Sequence, residues 1–162
     1  MTIRHAKVED AAAIAEISNQ VIRDTLITFA ADERTPDSIA TDIEANRDRF
    51  LVAELNGKVV GFATYGPFRA GAGYAFCREH TIRVIPDARG HGLGRALMEG
   101  LEEIARSEKV HVLIAGISSE NPTAIAFHAA LGFSEVGRMP QVGRKWDRWL
   151  DLVLMQKILA QE

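Results

Sequence analysis

Cysteine is almost absent from this chain: Cys77 stands alone among 162 residues. A lone cysteine excludes an internal disulfide framework and fits a reducing, cytoplasmic setting. Long apolar runs are missing as well. No stretch approaches the roughly 18 uninterrupted apolar residues of a membrane helix, and Met1-Thr2-Ile3-Arg4-His5 carries no apolar leader core. No membrane partner is therefore expected. A large excess of charge of one sign is missing too, and a formal net charge of −3 gives no electrostatic case for nucleic acid. The histidines at 5, 80, 91, 111 and 128 form no H-x-x-x-H pair and have no companion cysteines, so no metal site is expected. Linkers, repeats and low-complexity segments are likewise missing. With 47% hydrophobic residues, the chain reads as one domain, 1–162, of a size that buries about 70% of its unfolded surface.

What is present is concentrated in Val84-Ile85-Pro86-Asp87-Ala88-Arg89-Gly90-His91-Gly92-Leu93-Gly94-Arg95. Glycines at 90, 92 and 94 separate the β-branched run Thr81 to Ile85 from an apolar-periodic stretch that begins at Leu93. A strand thus passes through a glycine turn into a helix. Without Cβ atoms the turn can adopt positive φ and bring its backbone close to a ligand. The first helical amides lack intrahelical partners and carry the positive end of the dipole, which makes an anion site. Arg89, His91 and Arg95 add cationic or titratable side chains, so the natural guest is a phosphate or pyrophosphate. A P-loop is excluded, because Gly94 is followed by Arg95-Ala96 and not by Lys-Ser/Thr. A dinucleotide fingerprint is excluded by the G-x-G-x-G spacing and the mid-chain position.

The remaining patterns give the order β-α-α-β-β-β-α-β-α-β-β. Thr2 to Lys7 reads as a strand, and Asp10 as the cap of a helix with Ile14, Ile17, Val21 and Ile22 inward. Thr25 to Phe29 is a loop with apolar bulk, and Thr35-Pro36 starts a helix with Ile39 and Ile43 on its inner face. Phe50 to Glu54, Asn56-Gly57 and Val59 to Tyr65 predict a hairpin. A strand is expected from about Tyr74 to Ile85, then a helix burying Leu93, Leu97, Leu101 and Ile104, then a strand Val110 to Ile117. Asn121-Pro122 caps a helix that Gly132 ends. Phe133 to Met139 follows as a strand, Gln141 to Arg148 as a polar loop, and Trp149 to Ile158 as a last strand. The fold class is mixed α/β (α+β), with helices flanking a mostly antiparallel central sheet.

With these residues in view, the chain resembles the GNAT superfamily of acetyl-CoA-dependent N-acetyltransferases. Arg89-Gly90-His91-Gly92-Leu93-Gly94 matches its Arg/Gln-x-x-Gly-x-Gly/Ala motif, and Asn121 to Phe133 matches its asparagine-led helix ending in Leu-Gly-Phe. Within it, Glu79-His80-Thr81-Ile82-Arg83-Val84 looks like the Glu-His-Ser-Val-Tyr-Val strand of the phosphinothricin and methionine-sulfoximine acetyltransferases. Met139 to Trp146 and Arg148 to Asp151 resemble that subgroup's C-terminal signature. Two departures flank the amine side: Ala75 where an arginine is common, and Arg78 where valine is usual.

The resemblance implies the GNAT fold, with its sheet splayed mid-way for acetyl-CoA. It implies that amides around Gly90 to Arg95 hold the pyrophosphate, with Arg89, His91 and Leu93 in the same segment. The pantetheine arm pairs with the strand edge Ile82-Arg83-Val84 by strand addition, and Asn121 contacts it from the second motif. Glu79 is the candidate general base, acting through a water, and the Val84 N–H is a candidate oxyanion donor. Alternation along a strand should turn Arg78 to the face opposite Glu79. Relatives ease thiolate departure with a tyrosine in the second motif. Here Phe127 cannot donate, and His128 is the candidate acid and a candidate cofactor contact. Arg69 is the candidate partner of an amino-acid carboxylate, and Phe29, Tyr74 and Thr81 are candidate pocket residues beside Glu79.

The expected reaction is direct transfer of acetyl to the α-amine of a small amino-acid analogue such as methionine sulfoximine, methionine sulfone or phosphinothricin. No covalent enzyme intermediate is expected, since Cys77 has no arguable histidine base. The partners are then a small-molecule amine and, as is common in the subgroup, a second copy in a homodimer. Alternatives stay open: another amine (polyamine, antibiotic or protein N-terminus), a non-catalytic CoA-binding module, or a site for another nucleotide.

Overall fold

In the computed structural model, residues 1–160 are described. Seven strands form one sheet in the order β1-β2-β3-β4-β5-β7-β6. The elements are β1 (Thr2–His5), α1 (Ala11–Asp24), α2 (Pro36–Ala45), β2 (Phe50–Leu55), β3 (Lys58–Pro67), β4 (Cys77–Val84), α3 (Leu93–Ser107), β5 (Val112–Ser118), α4 (Pro122–Ala130), β6 (Ser134–Lys145) and β7 (Arg148–Ile158). Every neighbouring pair is antiparallel except β4 and β5. Among the described residues no helix is long and apolar enough to cross a membrane.

The helices divide between the two faces of the sheet, as their apolar stripes require. Ile14, Ile17, Ile39 and Ile43 of α1 and α2 pack with Phe50, Val52 and Phe62 on one face. Leu93, Leu97, Met98 and Leu101 of α3 pack with Leu51, Ala63, Leu113 and Val153 on the other, where Ile125 and Phe127 of α4 join them. The Thr35 hydroxyl accepts the Ser38 N–H at 3.1 Å, and the Asn121 side-chain oxygen accepts that of Ala124 at 3.2 Å. Both helices therefore begin with a side-chain cap at the expected residue.

Three local expectations are corrected. Asp10 does not cap α1: its carboxylate accepts the Lys7 N–H at 2.8 Å and both terminal nitrogens of Arg4, closing the single turn before the helix. The fourth strand begins at Cys77 and not Tyr74, since Ala72–Tyr74 is a short 3-10 turn. Gln141 to Arg148 is no loop; β6 runs to Lys145 and turns into β7 through Trp146-Asp147 alone. Both turn residues have positive φ, 52° and 57°, the backbone that two-residue hairpins require. Trp-Asp lacks the Asn-Gly signature that betrays such a turn. Gln141, with φ 58°, forms a bulge between Met139 and Gly143 and donates its N–H to Asp151 at 2.9 Å. Pro140 is tolerated because β6 is an edge strand.

The parallel pair matters most. Residues Cys77 to Glu79 pair with Val112 to Ile114, and there the ladder stops. Beyond Glu79 the two strands part.

Candidate active site

Backbone direction along β4 follows from two hydrogen bonds. Ile85 donates its N–H to Val60 of β3 at 2.9 Å, whereas the Phe76 carbonyl accepts from His111 on the β5 side at 2.8 Å. Peptide groups alternate along a strand, so the N–H and C=O groups of His80, Ile82 and Val84 face β5. Where β5 has parted, those of Ile82 and Val84 open into a cavity of about 590 Å³. Its wall also carries Arg89, Gly90, Gly92, Leu93, Gly94, Arg95 and Asn121.

The far end of this cavity is the glycine turn. Gly90 and Gly92 take φ of 84° and 75°, the left-handed region expected of them. Gly94 serves a different need, because a Cβ there would lie 3.1 Å from the Phe127 ring. Alone among the helices beginning at residues 36, 93 and 122, α3 receives no side-chain cap. Its first amides therefore face the cavity unpaired, as an anion site requires. Of the residues expected around the cofactor, only His91 lies off the cavity wall.

Glu79, the last β4 residue in register with β5, stands next to the His80 and Thr81 end of the cavity without itself lining it. Its carboxylate sits over Gly116: a Cβ at that glycine would lie 2.9 Å from Oε2. The missing side chain in the middle of β5 is what makes room for it. Partial burial pushes the Glu79 carboxyl above its usual 4.5, with no contribution from Arg78. Arg78 acts instead on Tyr65 and Glu108, so the two neighbours do face opposite ways.

His128 lies on the cavity wall but is buried, and its ring nitrogens are both engaged. Nδ1 lies 2.8 Å from the Ala124 carbonyl, and Nε2 lies 2.9 Å from Nε2 of His80. A carbonyl only accepts, which fixes the proton of His128 on Nδ1. Its Nε2 must then accept, and His80 donates. His80 Nδ1 is left as a buried lone pair without a partner. The neutral His128 thus has no free N–H to offer a leaving group. Adjacency of His80 to Glu79 was the only sequence signal of this pair.

Burial and the neighbouring His128 push His80 down to about 3, and burial lowers His128 too. In the unfolded chain both would bind protons below about pH 6.5. The folded form refuses them, so stability present above that pH is lost as pH falls toward 3. Each pH unit costs about 1.4 kcal/mol for His80 alone. Thermal melts should fall steeply between pH 6.5 and pH 4, and a His80→Gln variant should show a flatter profile; identical profiles would contradict the pairing.

Three expected pocket residues stand apart. Phe29 packs its ring onto Gly143, Arg69 stacks over Tyr74 at 5.3 Å, and Tyr74 is exposed. None of them borders the cavity, whereas Thr81 does. The cavity is bordered instead by Ile17, Gln20, Val21, Thr25 and Ile27 at the end of α1 and the loop after it. Sequence pattern had marked these only as core and loop. Among the described residues no cluster of three or more metal-ligating side chains occurs.

An open strand edge, an uncapped glycine-led helix and a carboxylate at the parting of two strands are the features that the GNAT resemblance implies. The family model described as the acetyltransferase (GNAT) family matches residues 18–133. The chain belongs to the GNAT family. It is an N-acetyltransferase, and GNAT acetyltransferases use acetyl-CoA as donor. A curated relative is the L-methionine sulfoximine/L-methionine sulfone acetyltransferase of Salmonella typhimurium, 41% identical over 159 residues, covering 96% of this chain and 93% of that protein. The crystal structure of a ribosomal-protein-alanine N-acetyltransferase from Brucella melitensis superposes with a TM-score of 0.93 at 45% identity, covering 98% of this chain and 100% of that one. The yncA structure from Salmonella typhimurium, solved with its cofactor acetyl-CoA, also gives 0.93, at 40% identity and coverage of 100% and 95%. The GNAT fold accounts for the parting of β4 and β5.

Proposed function

We propose that this GNAT enzyme acetylates the α-amine of a small amino-acid analogue, of the methionine sulfoximine, methionine sulfone or phosphinothricin type, by direct attack. The observation that carries the reading is the single cavity joining the uncapped turn Gly90–Arg95 to the strand edge that ends beside Glu79. The residues present fit acetyl-CoA. Amides of the turn, with Arg89 and Arg95, hold the pyrophosphate; hydrogen bonds to a charged group contribute about 1.5–3 kcal/mol each. Ile82 and Val84 offer the backbone edge for the pantetheine arm, and Asn121 flanks it. When bound, acetyl-CoA supplies the activated acetyl group. Glu79 removes a proton from the incoming ammonium through a water, and burial raises its pKa, the direction that makes a carboxylate a stronger base. The N–H of Val84 stabilises negative charge on the carbonyl oxygen. The chain works as one domain, in a cytoplasmic setting.

The amino-acid acceptor is supported by the 41% identical Salmonella relative. A second reading, acetylation of a protein N-terminus, is favoured by the name of the Brucella structure. Thiol release from acetyl-CoA over a panel of methionine sulfoximine, methionine sulfone, phosphinothricin, spermidine and an alanine-led peptide separates them. Turnover should be greatest with an amino-acid analogue. Preference for the peptide supports the second reading, and no acceleration by any amine removes both.

Exposed apolar residues gather on the β6–β7 hairpin: Val136, Met139, Val142, Trp146 and Trp149. They support the homodimer implied by the subgroup, which a sedimentation experiment would measure directly.

A further inference from the structure

We propose that the Arg83 guanidinium stabilises the CoA thiolate as it leaves. This inference rests on the donor reading above and adds a catalytic group to it. Arg83 stands where the strand of the resembled subgroup carries tyrosine. Its Nη1 donates to the Ile82 carbonyl at 3.0 Å, the group shown above to open toward the parted β5. The side chain therefore folds over the strand edge into the cavity and does not extend away from it. Among the described residues no carboxylate lies within ion-pair reach of Arg83, and the Ile82 contact uses only one of its five N–H donors. Its charge reaches across the opening and depresses His128 on α4.

The order of groups along the edge locates what that charge meets. Glu79 lies at one end and the anion-binding turn at the other, with Ile82 between them. With the carbonyl oxygen at the Val84 N–H, an amine coming from the Glu79 side meets the acetyl carbon first, and the sulfur lies on the same stretch of edge that Arg83 covers. In the reaction the amine lone pair forms the C–N bond, and the C–S bond breaks with its electron pair on sulfur. Of the two protons the ammonium must lose, Glu79 takes the first through water before attack and passes it to solvent. The second leaves through the same water after the C–N bond forms, and the thiolate later takes one from solvent. That transient anion needs a donor or a cation. Phe127 has no polar atom, and His128 has its N–H on Ala124. Arginine stays charged throughout the working pH range, so it meets the need without transferring a proton. Other charged or titratable groups facing the cavity are Asp24 on α1, His80 on β4, and Arg89 and Arg95 at the turn. The two histidines are held neutral by burial, and the turn arginines lie at the pyrophosphate end.

The test is an ultraviolet titration of the thiol of CoA bound to the enzyme, with the desulfo-CoA complex as blank, so that Cys77 cancels. In the parent, a cation within about 4–6 Å should make the bound thiol about ten- to a thousandfold more acidic than free CoA. Arg83→Tyr, a residue that the related strand accommodates, should abolish the change, and Arg83→Lys should retain part of it. In turnover, Arg83→Tyr should lower kcat with little change in the KM of the amine. A parent thiol that titrates like free CoA overturns the proposal, as does an Arg83→Tyr thiol as acidic as the parent's. Failure to bind both CoA and desulfo-CoA would instead overturn the donor reading, and this inference with it.

Discussion

Glu79→Gln is expected to lower kcat/KM by about 10²–10⁴-fold, the usual worth of general-base help, while acetyl-CoA still binds. Glutamine keeps the size of the side chain and removes only its ability to take a proton. The groups proposed to bind the donor lie beyond Glu79, on Ile82 to Val84 and the turn at 90–95, so they keep their geometry. The pH profile gives an independent readout. Burial places the Glu79 carboxyl above its usual 4.5, so the rate of the parent should climb with pH as that group ionises and level off once it has. Glu79→Gln should lose this acid limb. Gly116→Ala approaches the same carboxylate from the other strand. A Cβ 2.9 Å from Oε2 forces the carboxylate to move, and a shift of about 1 Å can cost about 10²-fold. The flexible end of Glu79 yields more easily than backbone, so folding should be spared. Steady-state kinetics beside isothermal titration with CoA would decide the matter: an unchanged kcat in Glu79→Gln removes the base assignment.

Lys145→Met should cost about 2–4 kcal/mol of stability, a drop of roughly 5–15 °C in Tm for a chain of this size. Lys145 is 5% exposed at the end of β6, and its ammonium donates to the carbonyls of Ile22 (2.7 Å), Thr25 (2.7 Å) and Thr28 (3.1 Å). Two of these lie at the C-terminal end of α1, where the helix dipole favours a cation. Methionine matches the length of the stem but leaves all three carbonyls without their donor. Part of that loss is offset, because the buried ammonium is itself costly to desolvate. The site feels the change too, since Thr25 and Ile27 border the cavity. The same loop is held by Ser118, whose hydroxyl donates to the Leu26 carbonyl at 2.7 Å, and by Phe29 against Gly143. With one tether removed, the KM of the amine should rise while that of acetyl-CoA stays. A Tm within about 2 °C of the parent would show that water replaces the ammonium at little cost.

Much of the donor end was legible in the residues themselves. Positive φ at Gly90 and Gly92, the uncapped start of α3 and the Asn121 cap depend on a few consecutive positions, and local chemistry determines them. The hairpin at Asn56-Gly57 was readable for the same reason, whereas the equally tight turn at Trp146-Asp147 was not. There the strand register, set by pairing with β7, holds Trp146 as well as Asp147 at positive φ, which a tryptophan rarely adopts.

The acceptor end was far less legible. Arg69, Tyr74 and Phe29 were plausible by type and resemblance, yet none of them lines the cavity. The direction of a loop side chain depends on what packs against it, and no periodicity records that. Arg83 shows the difference within a single residue. Its backbone place on the edge followed from the strand pattern, but the fold of its side chain into the cavity did not.

By itself, then, the sequence determined that a strand runs through a glycine turn into a helix, and that an asparagine-capped helix follows. Each of these is a property of neighbouring residues. Only the tertiary structure decided that β5 leaves β4 just past Glu79, that His80 meets His128 across 48 positions, and that Lys145 closes on Ile22 across 123. Those contacts arise from sheet order and from the packing of helices on its two faces, where residues distant in the chain compete for the same buried space.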